Sequence, residues 1–371
     1  MIPIAEPLLG EEELNNVIEA VRSGWISSKG KFIPQFEREF AQYCGVKYGV
    51  ATSNGTTALH LALVALGIGR RNEVIIPTLT FIATANAVKY TGARPVFVDS
   101  QPDYWCLNPE KIEKAITAKT KAIIPVHLYG HPCDMDTIMD IAKKHNLYVI
   151  EDAAEAHGAE YKGGKVGSFG DIACFSFFGN KLITTGEGGM CLTNDEQLAE
   201  RMRVLRDHGM NPDKKYWHDV VGFNYRMTNM QAAVGVAQLA RLDEFVEKKR
   251  AIADWYSEGL KELREREVIE LHPRMPWARC VYWMYSILIK DDFGKSRDEL
   301  MRELGKKGIE TRPLFYPIHV MPPYRTGDSF TAAEELSKRG VSLPSSVKLT
   351  RQHVKEVVRE VKLSSALVNS G

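Results

Sequence analysis

From Tyr48 to Asp152 the chain alternates short apolar segments with segments that have a helical pattern. The strand-like segments are residues 48–52, 73–77, 94–99, 120–128 and 147–152. The helical segments between them are residues 56–66, 83–90, 109–117 and 135–146. β-Rich runs that are regularly separated by helices are typical of a largely parallel sheet covered on both faces. The sequence therefore predicts an α/β fold with a mostly parallel central sheet between helices.

The pattern changes after residue 259. We predict one long helix over residues 228–259, with Thr228 as its N-cap. Two strand-like segments and two amphipathic helices follow, at residues 268–272, 281–289, 296–307 and 350–361. The chain is thus predicted to form a large domain over residues 1–245 and a smaller C-terminal α+β domain over residues 246–371.

Composition and charge exclude several classes of protein. The chain has 371 residues and a net charge of +1, which argues against nucleic acid as its main partner. It begins with an acidic run, and apolar stretches such as residues 59–68 have about half the length that crosses a bilayer. The six cysteines are scattered singly, without the spacing of a zinc site. We therefore expect reduced thiols in a cytoplasmic protein, with no membrane contact and no bound metal.

In parallel sheets, ligands bind at the carboxyl ends of the strands, so the residues there are the first candidates for function. The segment SNGTT at residues 53–57 lies between a strand and a helix, where backbone N–H groups can hold an anion. The same letters also make a helix cap that needs no ligand. Asp152 ends an apolar strand, and a buried carboxylate usually faces a cation, although it can also cap a turn. Glu155 and His157 follow it and could equally be solvated.

Lys181 lies in the segment FSFFGNKLITTGEGGM, between an aromatic run and a glycine cluster. Burial among Phe175, Phe177 and Phe178 would lower the pKa of its amine and make the neutral form accessible. A neutral amine is what imine chemistry with a carbonyl cofactor requires, whereas the plain alternative is a surface lysine at a strand end. Together with the anion loop, Asp152 and the aromatic Phe81, this lysine matches what pyridoxal phosphate requires.

Several longer motifs support this interpretation: WISSKGKFIPQFE, SNGTTALHLAL, PTLTFIATANA, VHLYG, EDAAEAHGA, FSFFGNKLITTGEGG, GFNYRMTN and TRPLFYPIHVMPPY. Through them the chain resembles, over essentially its whole length, the DegT-type sugar-nucleotide aminotransferases. That family belongs to the fold-type I pyridoxal-phosphate enzymes. The resemblance implies their fold and their cofactor, pyridoxal 5'-phosphate.

The resemblance also implies residue roles. Lys181 matches the imine-forming lysine, Asp152 the carboxylate that pairs with the pyridinium nitrogen, and Phe81 the aromatic that stacks on the ring. The implied phosphate contacts are Gly55, Thr56 and Ser176. Asn224 matches a contact from the neighbouring subunit. Glu155 stands where many members have Gln, beside the cofactor's phenolic oxygen.

The implied reaction moves an amino group from L-glutamate to C4 of a nucleotide-linked 4-keto-6-deoxy sugar. The similarity is greatest to members that act on GDP-4-keto-6-deoxy-D-mannose and give GDP-perosamine, a precursor of O-antigen polysaccharide. Cations are needed for the glutamate carboxylates and the pyrophosphate, and two aromatic residues near the C-terminal segment could approach the sugar. These substrate candidates are Lys29, Arg226, Arg312, Tyr316 and His319. Because the family shares residues across subunits, we expect a homodimer.

Alternatives remain at this point. The accepted sugar could be linked to dTDP or UDP. Sugar dehydratases of the same family carry histidine in place of the imine lysine, so Lys181 favours amino transfer. A nucleotide-sugar binding protein without turnover would have no use for a desolvated lysine opposite Asp152. A nicotinamide-dependent dehydrogenase would need GxGxxG after the first strand, where the sequence has none.

Overall fold

The computed structural model describes residues 1–365. Its strands form one seven-stranded, one four-stranded and one three-stranded sheet. In chain order the strands are β1 (Tyr48–Thr52), β2 (Glu73–Pro77), β3 (Arg94–Val98), β4 (Thr120–Ile123), β5 (Tyr148–Asp152), β6 (Glu160–Tyr161), β7 (Gly164–Lys165), β8 (Ile172–Ser176), β9 (Gly189–Thr193), β10 (Ile269–Glu270), β11 (Ala278–Arg279), β12 (Tyr285–Ile289), β13 (Arg312–Pro313) and β14 (Gly340–Leu343).

The helices cover both faces of the large sheet and one side of the four-stranded sheet. They are α1 (Glu11–Arg22), α2 (Phe32–Tyr43), α3 (Gly55–Ala65), α4 (Ala83–Tyr90), α5 (Ile112–Ala115), α6 (Met135–His145), α7 (Glu196–Arg206), α8 (Asn229–Ala240), α9 (Leu242–Gly259), α10 (Lys261–Glu265), α11 (Arg297–Lys306), α12 (Thr331–Arg339) and α13 (Arg351–Ser364). Within residues 1–365, every helix is either too short or too polar to cross a lipid bilayer.

The large sheet has the strand order β1-β9-β8-β5-β4-β2-β3. The pairs β2–β3, β2–β4, β4–β5 and β5–β8 are parallel, whereas β9 runs antiparallel to both β8 and β1. The predicted α/β fold with a mostly parallel sheet is therefore confirmed. The connection from β8 back to β9 spans residues 177–188 without a helix, and it carries Lys181.

Alternate side chains of each inner strand point to opposite faces, and both faces are buried. In β2, Val74 and Ile76 pack with residues of α3, α4 and α7, while Ile75 packs on the other face with residues that include those of α6. Two buried faces explain why EVIIP is apolar almost throughout and not alternating.

The four-stranded sheet, of order β10-β12-β14-β13, is antiparallel. Its apolar face packs against α9, α11 and α13 in one hydrophobic cluster. Ser296 and Thr350 cap α11 and α13 by accepting hydrogen bonds from backbone N–H groups in the first turn. The smaller α+β unit predicted at the C-terminal end is thus present.

Some predicted elements are wrong in their bounds. The long helix predicted over residues 228–259 is interrupted at Arg241, whose ψ of 4° lies outside the α-helical region, so that α8 and α9 are separate helices. The predicted N-cap Thr228 is correct, because its side chain accepts from the N–H of Gln231. The helix predicted at 109–117 consists of a short 3₁₀ turn followed by α5.

The boundary predicted between residues 245 and 246 stays a prediction. Helix α9 runs through it without a break. The N-terminal residue Ile2 also forms a parallel bridge with Ile309, next to the four-stranded sheet.

Candidate active site

The carboxyl ends of β1, β2, β5 and β8 border a cavity of about 620 Å³. Each of these strands is followed by a segment that lines the cavity, which is the arrangement expected for parallel sheets. The second half of the chain completes the wall with Trp283, Arg312 and Phe315.

The start of α3 forms one wall of this cavity. Asn54 is its N-cap and accepts a hydrogen bond from the N–H of Thr57 at 2.9 Å. A Cβ atom on Gly55 would lie 2.7 Å from Cβ of Ser176, so only glycine lets the helix approach the end of β8 this closely. The N–H groups of the first helical turn and the Ser176 hydroxyl therefore converge at the positive end of a helix, where anions bind.

Asp152 is the last residue of β5 and is 5% exposed. Its Oδ2 accepts a hydrogen bond from the Thr84 hydroxyl at 2.7 Å, and its Oδ1 accepts one from the N–H of Ala154 at 3.3 Å. Burial raises the pKa of this carboxyl, while the Thr84 hydroxyl and the Lys181 charge act in the opposite direction. The carboxylate is positioned to pair with a cation in the cavity.

Lys181 lies in the β8–β9 connection with its side chain 11% exposed. Its Nζ is 3.7 Å from Oε1 of Glu155 and 3.8 Å from the centroid of the Trp283 ring. Burial lowers the pKa of the Lys181 amine, and the carboxylates of Glu155 and Asp152 oppose that shift. The neutral amine is therefore accessible nearer to neutral pH than for a lysine in water.

The ring in contact with this amine is not one of the three phenylalanines expected from the sequence. Phe175 and Phe177 pack against Phe40 in the core, and Phe178 is 46% exposed. Trp283 covers the amine instead.

Glu155 is buried beside Lys181. Its Oε2 accepts a hydrogen bond of 2.7 Å from the N–H of Tyr129, a residue with the positive φ of 53°. Burial raises the pKa of the Glu155 carboxyl to about 7. The carboxyl can thus exchange a proton near neutral pH.

Phe81 lies at the mouth of the cavity. Its side chain is 55% exposed, and its ring is 5.8 Å from that of Phe315. The exposed aromatic surface is available for a planar ligand.

One chain therefore brings together most of the residues proposed from the sequence. The cavity is lined by Gly55, Thr56, Phe81, Asp152, Glu155, Ser176, Lys181 and Arg312. Arg312 is about half exposed and lies 3.6 Å from Glu310.

The other five candidates do not line the cavity of their own chain: Lys29, Asn224, Arg226, Tyr316 and His319. His319 is buried, with Nδ1 2.7 Å from the Thr78 hydroxyl and Nε2 3.2 Å from Glu334, so both of its nitrogens are engaged. Arg226 pairs with Asp207 at 2.8 Å on the exposed surface.

Of the cavity residues that were missed from the sequence, three make contacts that shape the site: Thr84, Trp283 and Phe315. Thr84 lies in the first turn of α4, and its hydroxyl gave no local signal of a carboxylate partner. Trp283 falls within residues 281–289, which were predicted to be strand, but β12 begins only at Tyr285. An indole N–H in an apolar run usually has a specific partner, and this could have singled out Trp283.

The sheet, the helix N-terminus and the buried lysine opposite a carboxylate define an aminotransferase of fold type I. Residues 7–362 match the model of the DegT/DnrJ/EryC1/StrS aminotransferase family, and the chain belongs to this family.

Individual relatives are similar over nearly their full length. The chain is 51% identical to the GDP-perosamine synthase of Caulobacter vibrioides, covering 96% of both chains. It is also 51% identical to that of Escherichia coli O157:H7, covering 95% of both. The PLP form of the Streptococcus pneumoniae protein Spr1654 has a similar structure, with a TM-score of 0.92, 28% identity and 99% coverage of both chains.

Proposed function

We propose that this protein is a pyridoxal-phosphate-dependent 4-aminotransferase that uses L-glutamate to convert GDP-4-keto-6-deoxy-D-mannose into GDP-perosamine. The observation that carries the proposal is the buried amine of Lys181. It lies beside Glu155, in the cavity that Asp152 lines from the end of β5. The names and the full-length similarity of the two perosamine synthases favour GDP over dTDP or UDP as the nucleotide.

The residues of the cavity fit the cofactor. Pyridoxal phosphate needs a cradle for a dianion, an acid partner for its ring nitrogen, an aromatic face and an amine. The start of α3 with Ser176, the buried Asp152, the exposed Phe81 and the desolvated Lys181 offer these four groups around one cavity. The cradle depends on Gly55, since a Cβ there would fill it.

When bound, the cofactor supplies an aldehyde and an electron-withdrawing ring that carry the amino group from donor to acceptor. Asp152 would hold a proton on the ring nitrogen, and its hydrogen bond from Thr84 fixes the carboxylate in place. Lys181 Nζ would bond the aldehyde and, once released, carry the proton that leaves the donor's α-carbon. Glu155, at 3.7 Å from Nζ, is close enough to bias the protonation of that amine.

We further propose that the active protein is a homodimer in which each subunit completes the other's site. Asn224 and Arg226 lie outside the cavity of their own chain, in a region that also exposes Tyr216 and Val221 at 76% and 89%. Large exposed apolar side chains near such residues are typical of an interface. Sedimentation of the Val221→Asp variant, with cofactor absorbance and activity measured in parallel, tests this: monomers that keep full activity would contradict the dimer.

The reaction is tested with purified protein. Bound cofactor should give a visible band that L-glutamate removes and that the Lys181→Ala variant lacks. Borohydride reduction followed by peptide mapping should leave the label on Lys181. Amination of the GDP-linked keto sugar, compared with the dTDP- and UDP-linked sugars, then identifies the nucleotide. A protein that stays colourless with added cofactor would instead support a nucleotide-sugar binding protein without turnover.

A further inference from the structure

Lys249 is a buried lysine in the middle of α9, outside the cavity. It is 4% exposed, and its Nζ donates hydrogen bonds to the backbone carbonyls of Trp283, at 2.8 Å, and of Ser345. Among residues 1–365 it has no carboxylate within ion-pair distance. A buried charge without an acid partner is destabilising. Its two acceptors therefore indicate what Lys249 does: it fixes the backbone at Trp283 and Ser345.

The side chain of Trp283 contacts both Lys181 and the residue before it. Its indole Nε1 donates a hydrogen bond of 2.7 Å to the carbonyl of Asn180, the residue before Lys181. The face of the same ring lies 3.8 Å from Lys181 Nζ. Trp283 thus contacts both the backbone that carries the lysine and the amine at the other end of the side chain.

Trp283 is also connected to the second group beside the amine. Its ring stacks on that of Tyr129, with centroids 6.1 Å apart and planes inclined by 9°. The backbone N–H of Tyr129 holds Glu155, which in turn lies beside Lys181. Trp283, Tyr129 and Glu155 thus surround Nζ of Lys181 through consecutive contacts. Lys249 contacts this group of residues through the carbonyl of Trp283.

We propose that Trp283 is a positioning residue for the Lys181 amine, and that Lys249 acts on the amine through Trp283. The indole covers one side of Nζ and restricts the side chain to the orientation in which Nζ faces Glu155. Lys249 supplies the anchor that keeps the indole there. A residue of α9 thereby controls the access to an amine in the β8–β9 connection.

The first test measures access to the amine directly, in full-length protein freed of cofactor. Acetylation of Lys181 by acetic anhydride is followed by peptide mass spectrometry over a range of pH, and the limiting rate at alkaline pH reports the neutral amine. Because the indole ring lies 3.8 Å from Nζ and covers one side of it, Trp283→Leu should raise that limiting rate about tenfold. Trp283→Phe retains a ring and should give an intermediate rate.

The controls lie on the same helix. Lys248 and Trp255 contact each other at 5.1 Å on α9, outside the cavity. Lys248→Met and Trp255→Phe repeat the chemical changes and should leave the limiting rate unchanged. An unchanged rate in folded Trp283→Leu protein would overturn the role of Trp283.

The second test asks whether Lys249 works through Trp283. Lys249→Met should raise the limiting rate in the same direction as Trp283→Leu, and the double variant should not exceed Trp283→Leu alone. Effects that multiply would mean two independent causes and would overturn the proposed path. If Lys249→Met is less stable but labels Lys181 at the wild-type rate, Lys249 serves stability alone. That result would also overturn the proposed path.

A kinetic measurement completes the test and rests on the proposed function. In stopped-flow experiments with L-glutamate, Trp283→Leu should lower the limiting rate about tenfold and change the apparent Kd for glutamate much less, because positioning acts on the reacting amine. A change in Kd alone would contradict positioning. If the wild-type protein does not react with glutamate, the proposed function fails, whereas the labelling comparison still decides the role of Trp283.

Discussion

The burial of Lys249 predicts an unusual dependence of stability on pH. Desolvation lowers the pKa of this amine from 10.5 in water to about 7 in the folded protein. Between these two pH values the unfolded chain binds a proton that the folded chain does not, so the free energy of unfolding rises with pH. Below pH 7 the amine is protonated in both states. Its burial then lowers the free energy of unfolding by about 5 kcal/mol, at 1.36 kcal/mol for each pKa unit.

Replacing Lys249 by Met removes the titrating group and with it this dependence. The free energy of unfolding of the wild type, minus that of Lys249→Met, should therefore increase by about 2.5 kcal/mol between pH 7.5 and pH 9.5. The two hydrogen bonds that the variant loses add an offset that does not depend on pH, because a neutral amine also donates.

Urea unfolding of both proteins, at matched protein concentration and at several pH values, measures the difference. Other titrating groups are common to the two proteins and cancel in the subtraction. Lys248→Met, one residue earlier on the same helix, is the matched control for replacing a lysine by methionine. A difference for Lys249→Met that is constant with pH would refute the argument, since it would mean that the buried amine keeps its ordinary pKa.

Two further predictions concern the cavity. Because the Glu155 carboxylate raises the pKa of the Lys181 amine, Glu155→Gln should move the midpoint of Lys181 acetylation in cofactor-free protein to lower pH; an unmoved midpoint would contradict the coupling. Gly55→Ala places a Cβ 2.7 Å from that of Ser176 and should weaken the binding of pyridoxal phosphate by about fivefold to a hundredfold in an absorbance titration, since a contact of that kind costs about 1–3 kcal/mol. Gly305→Ala, in the open space on α11, should bind the cofactor as the wild type does.

Local patterns were sufficient for the elements whose environment is uniform along their length. Helix α4 has the predicted bounds of residues 83–90, and β1 and β2 begin and end where the apolar runs do. The interruption at Arg241 was not predictable from the sequence, because no glycine or proline marks it and both sides have helical periodicity. The antiparallel direction of β9 depends on its connection to β8, which periodicity does not reveal.

The same limit applies to the site. Asp152 and Lys181 could be singled out because a charged residue at the end of an apolar run is a local contrast. For Trp283 the sequence offers only the weaker signal of an indole N–H in an apolar run, because its partners Asn180 and Lys181 are about a hundred residues away in sequence. His319 shows the same limit from the other side: this histidine lies in a suggestive motif, but it is buried against Thr78 and Glu334 and does not line the cavity of its own chain.

The charges around the cavity favour the proposed homodimer. Within residues 1–365, its lining carries three carboxylates, Asp152, Glu155 and Glu187, against the two cations Lys181 and Arg312. The proposed ligands are a phosphate, a dicarboxylic amino acid and a pyrophosphate, all anionic, so one chain supplies too little positive charge for them. Cations that lie on the surface of one chain, such as Arg226, become useful only if a second subunit brings them to the cavity.

Arg226→Gln should therefore weaken the binding of the nucleotide sugar about tenfold or more, as expected for a lost charge-assisted hydrogen bond, while the absorbance of bound cofactor is kept. Equal binding by the variant would mean that the missing positive charge comes from elsewhere.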